Sequence, residues 1–440
     1  MGAGCGDGLE AAFTVDASRV TFGEGSLREV GERLRHHLPT ASPSRPRRAV
    51  RVAVITDTRL LALPWVGEVL DSLAAAGCEP VVFSDVAVDP TDVSINDAVT
   101  FARAERPDAF VSVGGGSVID TAKLANLLST HDGDLIDYVN APIGAARPVP
   151  GPLRPHLACP TTSGTGSEVT PMAIFDLLSV HAKTGVSSPL LRPTEAIVDP
   201  RVAQTLPAEV VAASGLDVLC HALESLTARR YTARPVASPP SARPASQGAN
   251  PWSDLGCREA LALIGTHLRE AVAGDPEARR QMMWAATLAG IAFGNAGVHV
   301  PHAMAYAVAG RVRDYRPAGY PHGDPLVPHG FAVALTAPAA FRALASTNPD
   351  RHLLGARLLH PHSPLDAGPR EAGDALASTV ATLMREIGAP NGLAGVGYTA
   401  ADVPDLVAGA APQRRLLDNA PMPIHDDELA AIFAEAVTCW

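Results

Sequence analysis

The stretch Ala109-Phe-Val-Ser-Val-Gly-Gly-Gly-Ser-Val-Ile-Asp-Thr-Ala-Lys123 joins a short apolar run to three consecutive glycines and then to a helix-forming sequence. A continuous apolar run of this length is typical of a parallel strand that is buried on both faces. The glycines allow the backbone to approach a phosphate group closely, and the helix that they open offers free N–H groups to it. The pattern is not GxGxxG, so a simple tight turn explains it equally well when it is considered alone.

The segments around this stretch alternate between predicted strands and predicted helices. Residues 51–57 form an apolar run that ends in Thr-Asp, which is typical of a buried parallel strand with polar residues at its carboxyl end. Further strands are predicted at 12–15, 19–22, 80–83, 156–160 and 195–200. This alternation predicts an α/β fold with a doubly wound, mostly parallel sheet, whose ligands bind beyond the carboxyl ends of the strands. The Pro- and Ser-rich segment 39–48 is predicted to be a loop.

Beyond Pro200 the predicted elements are all helices, which indicates an all-α C-terminal domain. Helices are predicted at 208–226, 254–273, 277–293, near 303 and at 331–344, with more toward the C-terminus. The Pro-, Ser- and Arg-rich segment 229–251 interrupts them, and a loop of this length is usually either disordered or functional. We therefore predict two domains, at 1–200 and 201–440.

Composition excludes some classes of partner. The chain has 440 residues and a net charge of −11 at pH 7, which argues against a nucleic-acid partner because such a partner needs a basic surface. No apolar run approaches the ~18 residues of a membrane helix, so we expect no membrane contact. The six cysteines form no CxxC pair, and the N-terminus has no secretory or organellar presequence pattern. These features predict reduced thiols and a cytoplasmic location.

The stretch Ser214-Gly-Leu-Asp-Val-Leu-Cys-His-Ala-Leu-Glu-Ser225 places Asp217 and His221 four residues apart in a predicted helix, with Ser214 as a candidate N-cap. This spacing puts both side chains on one helical face, so that one cation can contact both. Considered alone, such a pair is more often a surface hydrogen bond than a pair of metal ligands.

Two later histidines strengthen the metal interpretation. His302 and His329 lie in apolar, small-residue surroundings, where an imidazole without a partner is costly. Three histidines and one carboxylate suit a divalent first-row metal, with room left for a substrate oxygen. His322 competes with His329 for the ligand role, and we prefer His329 because an apolar helix is predicted directly after it. His299 precedes His302 by about one turn, and we expect it to support the ligands or to be structural.

The second polar stretch, Thr161-Thr-Ser-Gly-Thr-Gly-Ser-Glu168, follows a predicted strand and is dense in hydroxyls and glycines. We interpret it as a further wall of a phosphate and ribose site, although a polar loop has the same composition. Asp57 ends the first long buried strand, where a carboxylate accepts hydrogen bonds from a ribose and repels a 2′-phosphate, so we predict NAD over NADP. The candidate cofactor-binding residues are Asp57, Gly114, Gly115, Gly116, Ser117, Asp120, Thr161, Thr162, Thr165, Ser167 and Lys183.

Taken in order along the chain, these motifs resemble those of the iron-containing alcohol dehydrogenase family, whose architecture is shared with dehydroquinate synthase. The matching stretches are 114–123, 160–168, 215–224 and the segments around His302 and His329, so the resemblance covers nearly the whole chain. It implies an N-terminal dinucleotide-binding domain, a C-terminal helical metal-binding domain, NAD as cofactor and a divalent metal. Fe(II) is favoured over zinc by the resemblance alone, because both ions accept imidazole and carboxylate ligands.

Within that family, the stretches 140–144, 245–254 and 293–299 are similar to the hydroxyacid-oxoacid transhydrogenase group. This similarity implies hydride transfer from 4-hydroxybutyrate to 2-oxoglutarate through NAD that stays bound. We expect small hydroxyacid and oxoacid substrates and a homo-oligomer, a dimer. Two alternatives stay open: an NAD-dependent iron-type dehydrogenase of 4-hydroxybutyrate or another alcohol, and a non-redox lyase or binding protein of the same fold.

One departure from the family pattern concerns proton transfer, because Tyr306 stands where the family often has a second histidine. Tyr306 is therefore the candidate proton relay, acting through its hydroxyl group. The expected substrates are carboxylates, so the site needs a cation besides the metal, and arginine binds a carboxylate through two parallel hydrogen bonds. Arginines in loops rich in Pro, Ser and Ala are usually solvated. The candidates are Arg229, Arg230, Arg234, Arg243, Arg311, Arg313 and Arg316.

Overall fold

The computed structural model describes residues 8–38, 49–180, 182–320, 325–361 and 365–440. The loop predicted at 39–48 and the alternative ligand His322 lie outside the described residues. The chain forms two compact units. One is Ala17–Thr205, and the other combines the described residues through Asp16 with Leu206–Trp440.

The unit Ala17–Thr205 contains a six-stranded parallel sheet and a separate antiparallel strand pair. The strands are β1 (Arg19–Phe22), β2 (Val50–Ile55), β3 (Cys78–Phe83), β4 (Ala109–Gly114), β5 (His156–Pro160), β6 (Met172–Leu177), β7 (Ala182–Ser187) and β8 (Glu195–Val198). The sheet has the order β1-β8-β5-β4-β2-β3, and β6 pairs with β7. The predicted fold class, a mostly parallel α/β domain followed by a helical part, is confirmed.

The strand β4 lies between β5 and β2, and all six of its residues are buried. Helices cover the sheet, and this is why the central strand is an unbroken apolar run rather than an alternating one. The helices of this unit are α1 (Val30–His37), α2 (Pro64–Ala75), α3 (Asp92–Glu105), α4 (Gly116–Thr130) and α5 (Leu135–Tyr138).

The β6–β7 hairpin was not predicted, and a buried ion pair fixes it to α4. Lys123 is fully buried, and its Nζ donates to Asp120 Oδ1 at 3.2 Å, to Ser167 Oγ at 2.8 Å and to the carbonyl of Met172 at 2.5 Å. The other carboxylate oxygen of Asp120 accepts from the backbone N–H of Ile174 at 2.9 Å. The lysine and the aspartate of one helix therefore bind both the start and the middle of β6.

The second unit is helical. Its helices are α6 (Ala208–Thr227), α7 (Pro251–Ala273), α8 (Pro276–Ala296), α9 (Val300–Gly310), α10 (His329–Ala334), α11 (Ala337–Leu344), α12 (Pro349–Leu359), α13 (Ala372–Glu386), α14 (Val403–Ala410), α15 (Arg414–Leu417) and α16 (Asp426–Glu435). The single helix predicted at 331–344 is two helices, because Pro338 in the first turn of α11 has no N–H to continue a helix from α10.

Two predictions about α6 are wrong. Ser214 is not its N-cap, because the helix begins at Ala208 and the Ser214 hydroxyl donates instead to the carbonyl of Val210 at 2.6 Å. The helix is also long and apolar enough to cross a membrane by length and composition, contrary to the expectation that no such run exists. Most of it is buried inside the helical unit, as in the core helix of a folded protein.

Residues 12–15 form no strand, although one was predicted. Instead, the backbone N–H of Thr14 donates to Gln247 Oε1 at 2.8 Å, and Gln247 Nε2 donates to the backbone carbonyl of Thr14 at 2.7 Å. Glu10 forms an ion pair with Arg243 at 2.9 Å, and Asp16 N–H donates to Asn295 Oδ1 at 3.1 Å. The N-terminal segment is therefore bound to the 229–251 segment through Gln247 and Arg243, and to α8 through Asn295.

Replacing the buried Lys123 should destabilise the α/β unit. We expect Lys123→Ala to lower the apparent free energy of unfolding by about 3 kcal/mol or more, because Asp120 would remain buried without its cation. Arg28→Ala is the control, since the Arg28–Glu68 pair lies at the surface and is worth less than about 1 kcal/mol. Urea denaturation measures both variants, and equal losses would contradict the role given to Lys123.

Candidate functional site

The helix α6 carries the first two candidate ligands. Asp217 and His221 both lie in its buried middle part, with side chains 3% and 5% exposed. The His221 Nε2 atom is 3.6 Å from Asp217 Oδ1. This is the arrangement expected from a spacing of four residues on one helical face.

The helices α9 and α10 bring two further imidazoles to the same carboxylate oxygen. The Nε2 atoms of His302 and His329 lie 3.6 Å and 3.9 Å from Asp217 Oδ1. Gly330 explains how α10 comes so close to α6, because a Cβ at that position would lie 1.8 Å from the carbonyl oxygen of Ala213. His329 is the most open of these side chains at 28% exposed.

These donors fit a divalent cation. One ligand atom each from Asp217, His302 and His329 lie within 4.8 Å of one another. Asp217 Oδ1 and His302 Nε2 are buried and have no hydrogen-bond partner among the described residues. Their separation of 3.6 Å is too long for a hydrogen bond, but it suits two ligands that each lie about 2 Å from one ion. The assignment of Asp217, His221, His302 and His329 as the ligand set stays a prediction.

Glu224 was not predicted as a site residue, and it orients His302. Its Oε1 atom lies 2.6 Å from His302 Nδ1, and its Oε2 atom accepts from the backbone N–H of His299 at 2.6 Å. A carboxylate on Nδ1 leaves Nε2 as the atom that faces Asp217, which is the usual arrangement for a metal-binding histidine. The available signal was a glutamate inside the apolar helix sequence His221-Ala-Leu-Glu224.

Burial and charge act differently on the two inner imidazoles. His221 stacks on Phe293 with ring centroids 4.0 Å apart, and burial lowers the pKa of His221 to about 3, which keeps the ring neutral. Burial also acts to lower the pKa of His302, but the carboxylates of Glu224 and Asp217 together outweigh it and raise that pKa to about 9. A cation that binds His302 must therefore displace a proton, as is usual for metal binding to histidine.

The two predicted auxiliary residues have defined surroundings. His299 is fully buried, and its Nε2 atom lies 3.0 Å from the Thr227 hydroxyl, while its backbone N–H holds Glu224. Tyr306 lies one turn after His302 on α9 and is 7% exposed. The roles of His299 and Tyr306 stay predictions.

The turn from β4 into α4 is tightly packed, and no side chain caps the helix that it opens in the part of the chain that the structure describes. A Cβ at Gly116 would lie 2.6 Å from the Thr165 side chain, and a Cβ at Gly114 would lie 2.4 Å from Val118. Glycine at 116 therefore lets the turn pack tightly against the hydroxyl-rich stretch, and glycine at 114 leaves room for Val118 of α4. Within the described residues no side chain caps α4, so its first N–H groups are available to an anion.

Other predicted cofactor residues have hydrogen-bond or ion-pair partners within the protein. Asp57 follows β2 and accepts from the backbone N–H groups of Arg59 and Leu60, and the N–H of Thr161 donates to Gly114 O at 3.0 Å. Ser117 donates to the carbonyl of Val88. Asp120 and Ser167 are bound within the hairpin network, and Lys183 pairs with Asp89 at 3.1 Å and Asp176 at 3.4 Å. The contact of each of these residues with a cofactor stays a prediction.

The candidate carboxylate-binding arginines also differ in their partners. Arg243 forms an ion pair with Glu10, and Arg313 forms one with Asp402. Arg230 is exposed and lines an open cavity of about 440 Å³. The other candidates for binding a substrate carboxylate are Arg229, Arg234, Arg311 and Arg316.

Comparison with known proteins gives two family matches. Residues 17–200 match the family described as iron-containing alcohol dehydrogenase, and residues 245–437 match the C-terminal part of the Fe-containing alcohol dehydrogenase family. The mitochondrial hydroxyacid-oxoacid transhydrogenase of Bos taurus is 44% identical over 97% of this chain and 90% of its own length. The Homo sapiens protein of the same name is 43% identical with the same coverage. The solved structure of 1,3-propanediol oxidoreductase has a TM-score of 0.81 at 28% identity, covering 97% of this chain and 100% of its own.

The predicted cytoplasmic location is wrong. The relatives from Bos taurus and Homo sapiens are named as mitochondrial proteins. Scattered reduced cysteines indicate a reducing compartment, but they do not identify which one.

Removing the Glu224 carboxylate should weaken metal binding. We expect Glu224→Ala to lower metal affinity roughly 10- to 100-fold, because the His302 ring loses the contact that fixes its orientation. Glu224→Gln keeps the shape without the charge and should have a smaller effect. The metal content after titration with a chelator measures this. Glu209→Ala, in the exposed first turn of the same helix, is the control, and an equal loss in that variant would contradict the role of Glu224.

Proposed function

Because the chain belongs to the iron-containing alcohol dehydrogenase family, we propose that it is a hydroxyacid-oxoacid transhydrogenase. It moves a hydride from the hydroxyl-bearing carbon of one acid to the carbonyl carbon of another through bound NAD. The observation that carries this proposal is the convergence of Asp217, His302 and His329 on one buried point in a chain so similar to transhydrogenases.

The family implies a divalent metal ion, and the ligands proposed for it are Asp217, His221, His302 and His329. Three imidazoles and one carboxylate suit Fe(II) as well as zinc, and the family description favours iron. When bound, the ion supplies a Lewis acid that polarises the substrate oxygen. His329 is more exposed than the other three side chains, so the substrate oxygen is proposed to approach from its side.

The family also implies NAD(H), and the residues proposed to hold it lie in the α/β unit. The uncapped start of α4 and the tight turn at Gly114–Gly116 would bind the pyrophosphate, with Thr162 and Thr165 on the far side of the turn. Asp57 would bind the adenine ribose. The nicotinamide supplies the hydride acceptor, while the protein supplies position and charge.

The proposed substrates are 4-hydroxybutyrate as hydride donor and 2-oxoglutarate as acceptor, with succinate semialdehyde and 2-hydroxyglutarate as products. The first half-reaction releases a hydride and a proton, and the second consumes both, so NAD is unchanged after a complete cycle. Tyr306 is proposed to pass the proton, since it lies one turn from His302.

The proposal predicts turnover that needs both acids and no added NAD. We expect the purified protein to form 2-hydroxyglutarate from 4-hydroxybutyrate and 2-oxoglutarate, measured by mass spectrometry of the products. Asp217→Asn should lose metal and turnover together, whereas the exposed His425→Ala should keep both. Rapid NADH accumulation with 4-hydroxybutyrate and NAD, without need for an oxoacid, would instead identify an ordinary dehydrogenase.

Cofactor preference should depend on Asp57. We expect the wild type to bind NAD more tightly than NADP. Asp57→Ala should reduce the ratio of these two affinities roughly tenfold, which corresponds to the loss of one hydrogen bond to a charged group. The guanidinium of Arg59 lies 3.6 Å from Asp57 and would then be free to meet a 2′-phosphate. Binding of the two cofactors by fluorescence titration measures this. Equal use of NADP by the wild type would remove the role given to Asp57.

A further inference from the structure

Arg229 follows the end of α6 and is held in place by its backbone. Its N–H donates to the carbonyl of Asn419 at 2.9 Å. The Nε atom of its guanidinium group is buried and has no hydrogen-bond partner in the part of the chain that the structure describes. A buried guanidinium N–H without an acceptor is costly, and a bound carboxylate would remove that cost.

Arg234 brings a second positive charge to the same place. One of its guanidinium nitrogens donates to Asn419 Oδ1 at 3.4 Å. Burial lowers the pKa of Arg234, and the nearby charge of Arg229 lowers it further, with Asp418 opposing in part. Two neighbouring guanidinium groups therefore repel each other, and an anion between them would stabilise both.

Asn419 connects this pair to the helices that carry the proposed metal ligands. Its Nδ2 atom donates to the carbonyls of Ala296 and Val298, each at 3.2 Å, on the turn that leads into α9 and His302. On the other side of the turn, the Ser225 hydroxyl, one helical turn after His221, donates to Gly297 O at 3.0 Å. The backbone of Arg229 and the guanidinium group of Arg234 are thus linked through Asn419 to the turn that leads into α9 and that also contacts α6.

Chemistry gives a reason for one carboxylate site to serve both substrates. The hydroxyl-bearing carbon of 4-hydroxybutyrate and the carbonyl carbon of 2-oxoglutarate lie the same number of carbon–carbon bonds from a carboxylate. In 2-oxoglutarate this is the distal carboxylate. A fixed pair of arginines would therefore place the reacting carbon of either acid at the same point. Arginine suits this task because its planar group binds a carboxylate through two parallel hydrogen bonds.

We propose that Arg229 and Arg234 form a carboxylate-binding subsite that sets the chain length of the acids on which the enzyme acts. This inference rests on the proposed function. The other arginines of the same loop are less suitable, since Arg243 is already paired with Glu10 and Arg230 is exposed to a separate cavity.

The first test compares Arg229→Ala and Arg234→Ala with Arg230→Ala in the metal-loaded, full-length enzyme. We expect the KM for 4-hydroxybutyrate and the KM for 2-oxoglutarate to rise together, roughly 10- to 100-fold, with a much smaller change in kcat. Arg229→Lys should restore part of the loss, because it keeps the charge without the planar group. Unchanged KM values in both alanine variants, or an equal rise in Arg230→Ala, would overturn the subsite.

A second measurement separates this inference from the proposed function. Glutarate has two carboxylates and no reacting carbon, so its binding by calorimetry reports the subsite whether or not the enzyme transfers hydride. Loss of glutarate binding in Arg229→Ala with metal content unchanged would support the subsite even if no transhydrogenase activity were found. Wild-type affinity for glutarate in both alanine variants would overturn it even if that activity were present.

Discussion

The buried carboxylate of Asp217 is the constraint on which the helical unit depends. An ionised carboxylate surrounded by apolar helices is unstable unless cations or donors satisfy it, and three imidazoles approach one of its oxygens within 4 Å. The packing of α6, α9 and α10 follows from that requirement. Gly330 removes the side chain that would hold α10 away from α6, and the turn before α9 is bound by Ser225 and Asn419.

Charge balance explains why a second carboxylate is buried close by. With the imidazoles neutral, Asp217 and Glu224 together carry the charge that compensates one divalent cation, so the loaded site is neutral in an apolar environment. Glu224 does this without being a ligand, since its oxygens are occupied by His302 Nδ1 and by the N–H of His299. The same contact determines which nitrogen of His302 faces Asp217.

Much of the fold could be predicted from the sequence, because the central strands are apolar runs and the candidate ligand motifs lie on helices with clear periodicity. The failures have physical causes. Residues 12–15 alternate like a strand, but their backbone pairs with the side chain of Gln247, which no local pattern indicates. The β6–β7 hairpin depends on Lys123, a charged residue that propensity places at a surface and that is fully buried here. Glu224 was missed because its partners are distant in sequence.

The attachment of the N-terminal segment to the helical unit has a consequence for the order of folding during synthesis. Thr14 and Gln247 are 233 residues apart, as are Glu10 and Arg243. A ribosome needs on the order of tens of seconds to add that length of chain. The whole of Ala17–Thr205 is made in this interval, so the α/β unit can fold while the segment before it still waits for its partners. The segment before Ala17 is thus made earlier than the α/β unit but ordered after it.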